Sequence, residues 1–261
     1  MSNGISRRKL ITTGLATAAG VSGVAVAARL ASRYGLIPPD HGSIYGIGQT
    51  LTYASQRPLM SHPSSLAREF NRSEISKICP VNGPPPESET YHRLLAGGFA
   101  DWRLTIDGLV TRPLTFSLAE LKRYPPRTQI THQACEEGWS FIAEWTGVPL
   151  SHALNLAGVL PQAKYVVFFS FPEKSFPLGK KWGSIDMIDA WHPQTLLAYG
   201  MNGQELPTPH GAPVRLRVAR QLGFKSLKYL TRITVTDTVK NIGKGWGSSS
   251  PERGFSWYGG I

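Results

Sequence analysis

Apolar and polar positions alternate most clearly in the middle of the chain. Leu104, Ile106 and Leu109 recur with polar residues between them across Asp107-Gly108, which predicts a strand running into a turn. Ser117-Leu118-Ala119-Glu120 has the spacing of a capping box and opens a short helix containing Leu118 and Leu121. Ser151 can cap a second helix through Ala153, Leu154 and Leu156, stopped by Gly158. The run from Lys164 to Phe171 is β-branched and aromatic, hence a buried strand, and a short helix is expected over Ile185 to Ala190. Leu196 to Met201 and a strand from Gln204 flank Asn202-Gly203, a strong hairpin signal. Val214 to Val218 and Ile233 to Thr236 alternate as strands. The sum is an α+β domain of mixed β-sheets with short helices and no internal repeat.

Outside that core the pattern changes. Residues 34–90 are rich in Gly, Pro and Ser, with Pro38-Pro39 and Pro84-Pro85-Pro86 and little periodicity, and read as an extended arm laid over the domain. Residues 91–245 form the domain itself and 246–261 a tail. Residues 1–33 hold Ser6-Arg7-Arg8-Lys9-Leu10-Ile11, a twin-arginine export signature, followed by Leu10 to Ala28, which is uncharged but only weakly apolar. Ala25-Val26-Ala27 has the small-x-small cleavage pattern, and an uncleaved signal would anchor the chain by its N-terminus. Export to the periplasm through the twin-arginine translocase, already folded, is chiefly useful to a protein that takes up a cofactor first.

The formal charge is +11, of which Arg7, Arg8, Lys9, Arg29 and Arg33 carry five, leaving a moderate +6. No lysine-rich run or arginine ladder supports nucleic-acid binding. The two cysteines, Cys79 and Cys135, exclude a disulfide framework and a tetrathiolate metal site. Either they bridge or one is a functional thiolate, and Cys79, beside Pro80 in a polar stretch, reads as the bystander.

Six blocks carry a resemblance: Cys135-Glu136-Glu137-Gly138-Trp139-Ser140, Trp145-Thr146-Gly147-Val148-Pro149-Leu150, Ala163-Lys164-Tyr165-Val166, Trp191-His192-Pro193, Gly211-Ala212-Pro213-Val214-Arg215-Leu216 and Gly223-Phe224-Lys225-Ser226-Leu227-Lys228. In this order they resemble the molybdopterin-binding domain of the sulfite oxidase family, and within it the periplasmic methionine sulfoxide reductase catalytic subunits, which share the twin-arginine signal and a Cys-x-Glu-x-Trp-Ser motif. The resemblance implies a molybdenum held by molybdopterin and by the thiolate of Cys135, a soft donor suited to such a centre. Cofactor contacts are implied for Arg215, Ser226, Leu227 and Lys228, and for Lys225 in the same block. Ser170 stands where the relative uses a hydroxyl, and His210 where it has an asparagine. Asn82, Tyr91 and His92 lie where the family's N-terminal arm wraps the pterin.

Glu137 matches the acidic position beside the metal, where a carboxylate could pass the protons that accompany oxygen-atom transfer. Trp139 and Trp145 would wall the pocket. Beside these readings stand plainer ones: Arg215 as an outward strand arginine of the same parity as Arg217, Lys225 and Lys228 as solvated lysines, His92 as a surface or packing group, and His132 as a strand residue facing either way.

The stretch after Cys135 is acidic and aromatic, where true sulfite oxidases place oxyanion-binding arginines, so sulfite is not the expected substrate. Little chain follows the last predicted strand, so a monomer is expected. The expectation is an exported molybdopterin-dependent oxidoreductase that reduces an S-oxide or N-oxide. Oxidation of a small sulfur compound at the same centre and a cofactor-free basic binding module are the rivals. A cysteine hydrolase, with His132 or a remote histidine as base, also competes for Cys135. No haem-attachment motif occurs, so electrons would come from a separate partner, a membrane haem protein by resemblance.

Overall fold

The computed structural model describes residues 36–172 and 180–261. The export signature lies outside the described residues, as do residues 173–179.

Among the described residues, ten strands form two sheets. The first has the order β2 (Leu114–Ser117), β1 (Arg103–Gly108), β10 (Leu230–Thr236), β5 (Tyr165–Pro172), β6 (Lys180–Asp186). The second runs β3 (Arg127–Ala134), β4 (Ser140–Pro149), β7 (Thr195–Met201), β8 (Gln204–Glu205), with β9 (Arg215–Val218) also on β7. All pairings are antiparallel except β1 with β10. The α+β class with mixed sheets is borne out.

β5 shows why its sequence is apolar from Val166 to Phe169 without alternation. Val166 and Phe168 enter the main core with Leu104, Ile106, Leu216 and Ile233, while Val167 and Phe169 face the other way onto Trp182 and Val239. A strand covered on both faces has no polar side to show. Trp102 and Tyr91 spend their polar tips on backbone, Nε1 donating to Leu230 O at 3.0 Å and the hydroxyl to Ala212 O at 3.0 Å.

Several expectations need correction. The arm contains a 15-residue helix, α1 (Gly46–Met60), despite two glycines and Pro58. Pro58 sits in the last turn, where its missing N–H and its ring disturb only the end of the helix and leave the turns before it intact. A second helix, α2 (Glu89–Ala96), opens with Ser88 accepting from Tyr91 N. The Ser117 capping box holds and begins α3 (Leu118–Leu121). The next helix, α4 (Leu150–Ala157), starts after Pro149, so Ser151 lies inside it and caps nothing, while Gly158 ends it at φ 68°. Ile185 belongs to β6, and the helix expected there shrinks to α5 (Met187–Ala190), capped by the Asp186 carboxylate accepting from Asp189 N.

Asp186 and Asp189 anchor a buried ionic cluster between the domain and α1. The Arg57 guanidinium bonds Asp186 and lies 3.3 Å from Asp189, Arg220 reaches Asp189 at 2.7 Å, and the Tyr53 hydroxyl donates to Asp186 at 2.7 Å. The tail joins the same region. Trp257 is buried, its N–H donates to Asp40 at 2.6 Å, and its ring N–H donates to Ser184 at 2.9 Å.

Candidate active site

Cys135 lies at the tip of the β3–β4 hairpin, between Ala134 and Ser140. Its N–H donates to Trp139 O at 2.9 Å, and Gly138 turns the chain at φ 91°, a conformation for which a side chain would be strained. The thiol opens into a cleft of ≈ 160 Å³. Asn82, Trp139, His210, Arg215, Ser226 and Lys228 line it, joined by Gln133, Glu136, Glu137 and Leu227. The tail and β6 close one side with Lys181, Ser249, Ser250, Arg253 and Phe255.

Cys135 is buried, and burial, reinforced by the Glu136 and Glu137 carboxylates beside it, pushes its thiol up to about 11. Within this chain alone the thiol keeps its proton at neutral pH, and a cationic centre bound to sulfur displaces it. A hydrolytic nucleophile needs the opposite environment. Both cysteines are free, so the bridge between Cys79 and Cys135 does not form. Glu137 is exposed, and its Oε2 accepts from Asn82 Nδ2 and Trp139 Nε1, both at 2.9 Å, which fixes the carboxylate 3.8 Å from the sulfur.

Arg215 points inward from β9, which corrects the outward reading. Its guanidinium donates to His210 O and Ser226 O, each at 2.9 Å, and lies 5.0 Å over the Trp145 ring. Among the described residues no carboxylate is bonded to it and its Nε has no partner, and burial lowers its pKa to about 10. A cation kept dry and unpaired at a cleft wall is prepared for an anion. His210 is held neutral, pushed down to about 4 by burial and by Arg215 and Lys228. Lys228 Nζ bridges Asn82 O at 2.6 Å and Pro209 O at 2.9 Å, tying the arm to the rim.

Other expected contacts are not brought to the cleft. The Tyr91 side chain is core, and His92 is an exposed residue of α2. Ser170 is buried on β5, its hydroxyl donating to Lys181 O at 2.9 Å. Lys225 turns its ammonium away to Ser184 O and Trp257 O, both at 2.6 Å, and burial drags it down to about 7 against the pull of Asp186, Asp189 and Asp40. It braces the Gly223–Lys225 turn from behind. Sequence reasoning missed Gln133, which shares the strand parity of Cys135 and leaves Oε1 unpartnered, and the tail serines.

Among the described residues, no group of three or more His, Cys, Asp or Glu could hold a metal ion by itself. A metal at Cys135 would therefore take most of its donors from a cofactor. The unpartnered Arg215 Nε and Gln133 Oε1, with the Ser226 hydroxyl and the positive charge of Lys228 on the same lining, fit a polar, anionic group bound beside a sulfur ligand.

Residues 94–242 match the family described as "Oxidoreductase molybdopterin binding domain". A chain of Azospira oryzae provisionally named protein-methionine-sulfoxide reductase subunit YedZ1 is 35% identical over 198 residues, covering 76% of this chain and 69% of that one. The protein-methionine-sulfoxide reductase catalytic subunit MsrP of Gluconobacter oxydans is 30% identical over 217 residues, covering 75% and 68%. The MsrP of Ralstonia nicotianae is 35% identical over 164 residues, 59% of this chain, which spans about half of that relative's length (49%). Among solved structures, the sulfane dehydrogenase SoxCD of Paracoccus pantotrophus matches with a TM-score of 0.48 and 28% identity, covering 53% of this chain and 39% of that one.

Proposed function

We propose that this chain, which belongs to the oxidoreductase molybdopterin-binding domain family, reduces an S-oxide by oxygen-atom transfer, with methionine sulfoxide as the substrate class. An enzyme of this family takes the place of the cofactor-free binding module. The substrate reading is supported by relatives named as protein-methionine-sulfoxide reductases. It is supported also by the absence of a positively charged side chain in the run 135–140, which leaves little there for an oxyanion such as sulfite. The single observation that carries the proposal is Cys135 at a hairpin tip, facing a cleft whose deepest cation, Arg215, has no counter-charge.

Molybdopterin would supply a metal that changes by two electrons as an oxygen atom moves, chemistry no side chain provides. Cys135 would ligate that metal. Arg215, Ser226 and Lys228 would hold the anionic end of the pterin, and Gln133 Oε1 would accept from one of its N–H groups. Trp139 and Phe255 wall the cleft and limit water. Glu137, held by Asn82 and Trp139, keeps an exposed carboxylate beside the sulfur that can relay protons from solvent. We further propose that the chain is exported to the periplasm by the twin-arginine translocase, works as a monomer and receives electrons from a membrane haem protein.

The test is Cys135→Ser in the full chain, with molybdenum content, X-ray absorption of the metal and turnover of methionine sulfoxide and trimethylamine N-oxide driven by reduced viologen. Loss of one sulfur from the metal's coordination shell together with turnover is expected. Unchanged turnover in the variant overturns the assignment, and activity on N-oxides alone overturns the substrate class.

A further inference from the structure

α1 wears its amphipathic pattern inside out. The positions facing the domain are Gly46, Gln49, Tyr53 and Arg57; Tyr53 and Arg57 spend their polar ends on the buried carboxylate of Asp186, and Gln49 bonds the hydroxyls of Ser43 and Ser256. The outward positions carry Ile47 (82% exposed), Leu51 (66%) and Leu59 (77%), and Ile44 (82%) and Tyr45 (64%) extend the same stripe just ahead of the helix. Spacing of 44, 47, 51 and 59 keeps these side chains on one face. The helix contains no acid, and its one cation, Arg57, is buried, so its outer surface has no charge at all. A helix of this kind facing water would show the reverse distribution.

Three observations select what covers the stripe. α1 has 15 residues, about 22 Å at the usual rise, and no described helix is long and apolar enough to cross a membrane, so it can lie in a bilayer surface but not span it. The chain leading to it includes Leu10 to Ala28, uncharged and flanked by Arg7, Arg8, Lys9, Arg29 and Arg33 without an acid. From Ala28 to the first described residue, Leu36, the chain reaches at most about 28 Å, so a membrane-held Leu10–Ala28 segment would keep α1 near the surface. A second copy of the chain is a poorer occupant, because five side chains fall far short of the roughly 20–30 residues a side of a stable interface.

We propose that α1 is an interfacial helix, with Ile44, Ile47, Leu51 and Leu59 among the acyl chains of a bilayer, and that it docks the enzyme on the membrane. Its inner face runs through Arg57, Asp189 and Arg220 to the elements behind the cleft, so docking also fixes how the cleft stands relative to the lipid surface.

The test uses the full-length holoenzyme with Cys79→Ser and Leu51→Cys, the new cysteine carrying a bimane fluorophore and a sample without it setting the background. Vesicles of phosphatidylethanolamine and phosphatidylglycerol with brominated acyl chains are expected to quench the label roughly twofold or more relative to unbrominated vesicles. Adding Ile47→Gln and Leu59→Gln should abolish the quenching while viologen-driven turnover stays unchanged, since neither residue touches the cleft. A label that stays unquenched on vesicle-bound enzyme overturns the proposal. So does a label shielded in a concentration-dependent way without lipid, which would assign the stripe to a second copy.

Discussion

Arg215→Met separates a cofactor-binding cation from a structural brace. Burial takes Arg215 down to about 10 from the usual arginine range, which corresponds to about 3 kcal/mol of cost for keeping it charged with no partner. Replacing it with methionine removes that cost but strands His210 O and Ser226 O, each worth about 1–3 kcal/mol when left without a donor. The terms oppose one another, so the cofactor-free protein should fall between about 1 kcal/mol more stable and about 3 kcal/mol less stable. With cofactor bound, the variant loses a charge-assisted contact of about 1.5–3 kcal/mol, roughly a 10- to 150-fold loss in retention. Thermal unfolding of both forms, with molybdenum content after gel filtration, reads the two effects separately. If Arg215→Met destabilises the cofactor-free protein as much as the loaded one, the guanidinium is a brace and the anion-receiving role is wrong.

Two further outcomes follow from the buried charges. His192 is held down to about 4 by burial and by Arg220, against an ordinary value near 6.5, so between those values the unfolded chain takes up its proton first and stability falls as pH falls. Denaturant titrations from pH 7 to 4 should show this loss, and His192→Gln should lessen it while His210, depressed in the same way, keeps its share; an identical slope in the variant refutes the assignment. Asp189→Asn removes the charge shared by Arg57 and Arg220 and should cost about 3–5 kcal/mol in thermal unfolding, whereas a loss under about 1 kcal/mol would mean the cluster carries no net stability.

The legible elements were those whose buried side is apolar. β1, β7 and β10 and the Asn202-Gly203 hairpin announce themselves by alternation and turn chemistry. The hairpin that presents Cys135 does not. The inward residues of β3 are Gln129, Thr131 and Gln133, paired with Gln194 O, Arg217 and the cleft respectively, so the strand's period is written in polar residues. α1 was hidden for the mirror-image reason, its apolar residues facing out. Motif spacing placed Cys135, Asn82, Arg215 and Lys228 at the cleft, but it cannot tell which way a side chain points once the strands pack. Tyr91, Ser170 and Lys225 therefore came out as neighbours of the site and not as lining.

Ser249, Ser250, Arg253 and Phe255 reach the cleft because Trp257 is pinned between Asp40 and Ser184, and all of them are translated after the last strand of either sheet. On the ribosome, both sheets can pair while the chamber still lacks a side. Only once residues 249–257 have been made and docked is the receptacle closed, so the docking of that segment becomes a natural checkpoint before the cleft can be loaded.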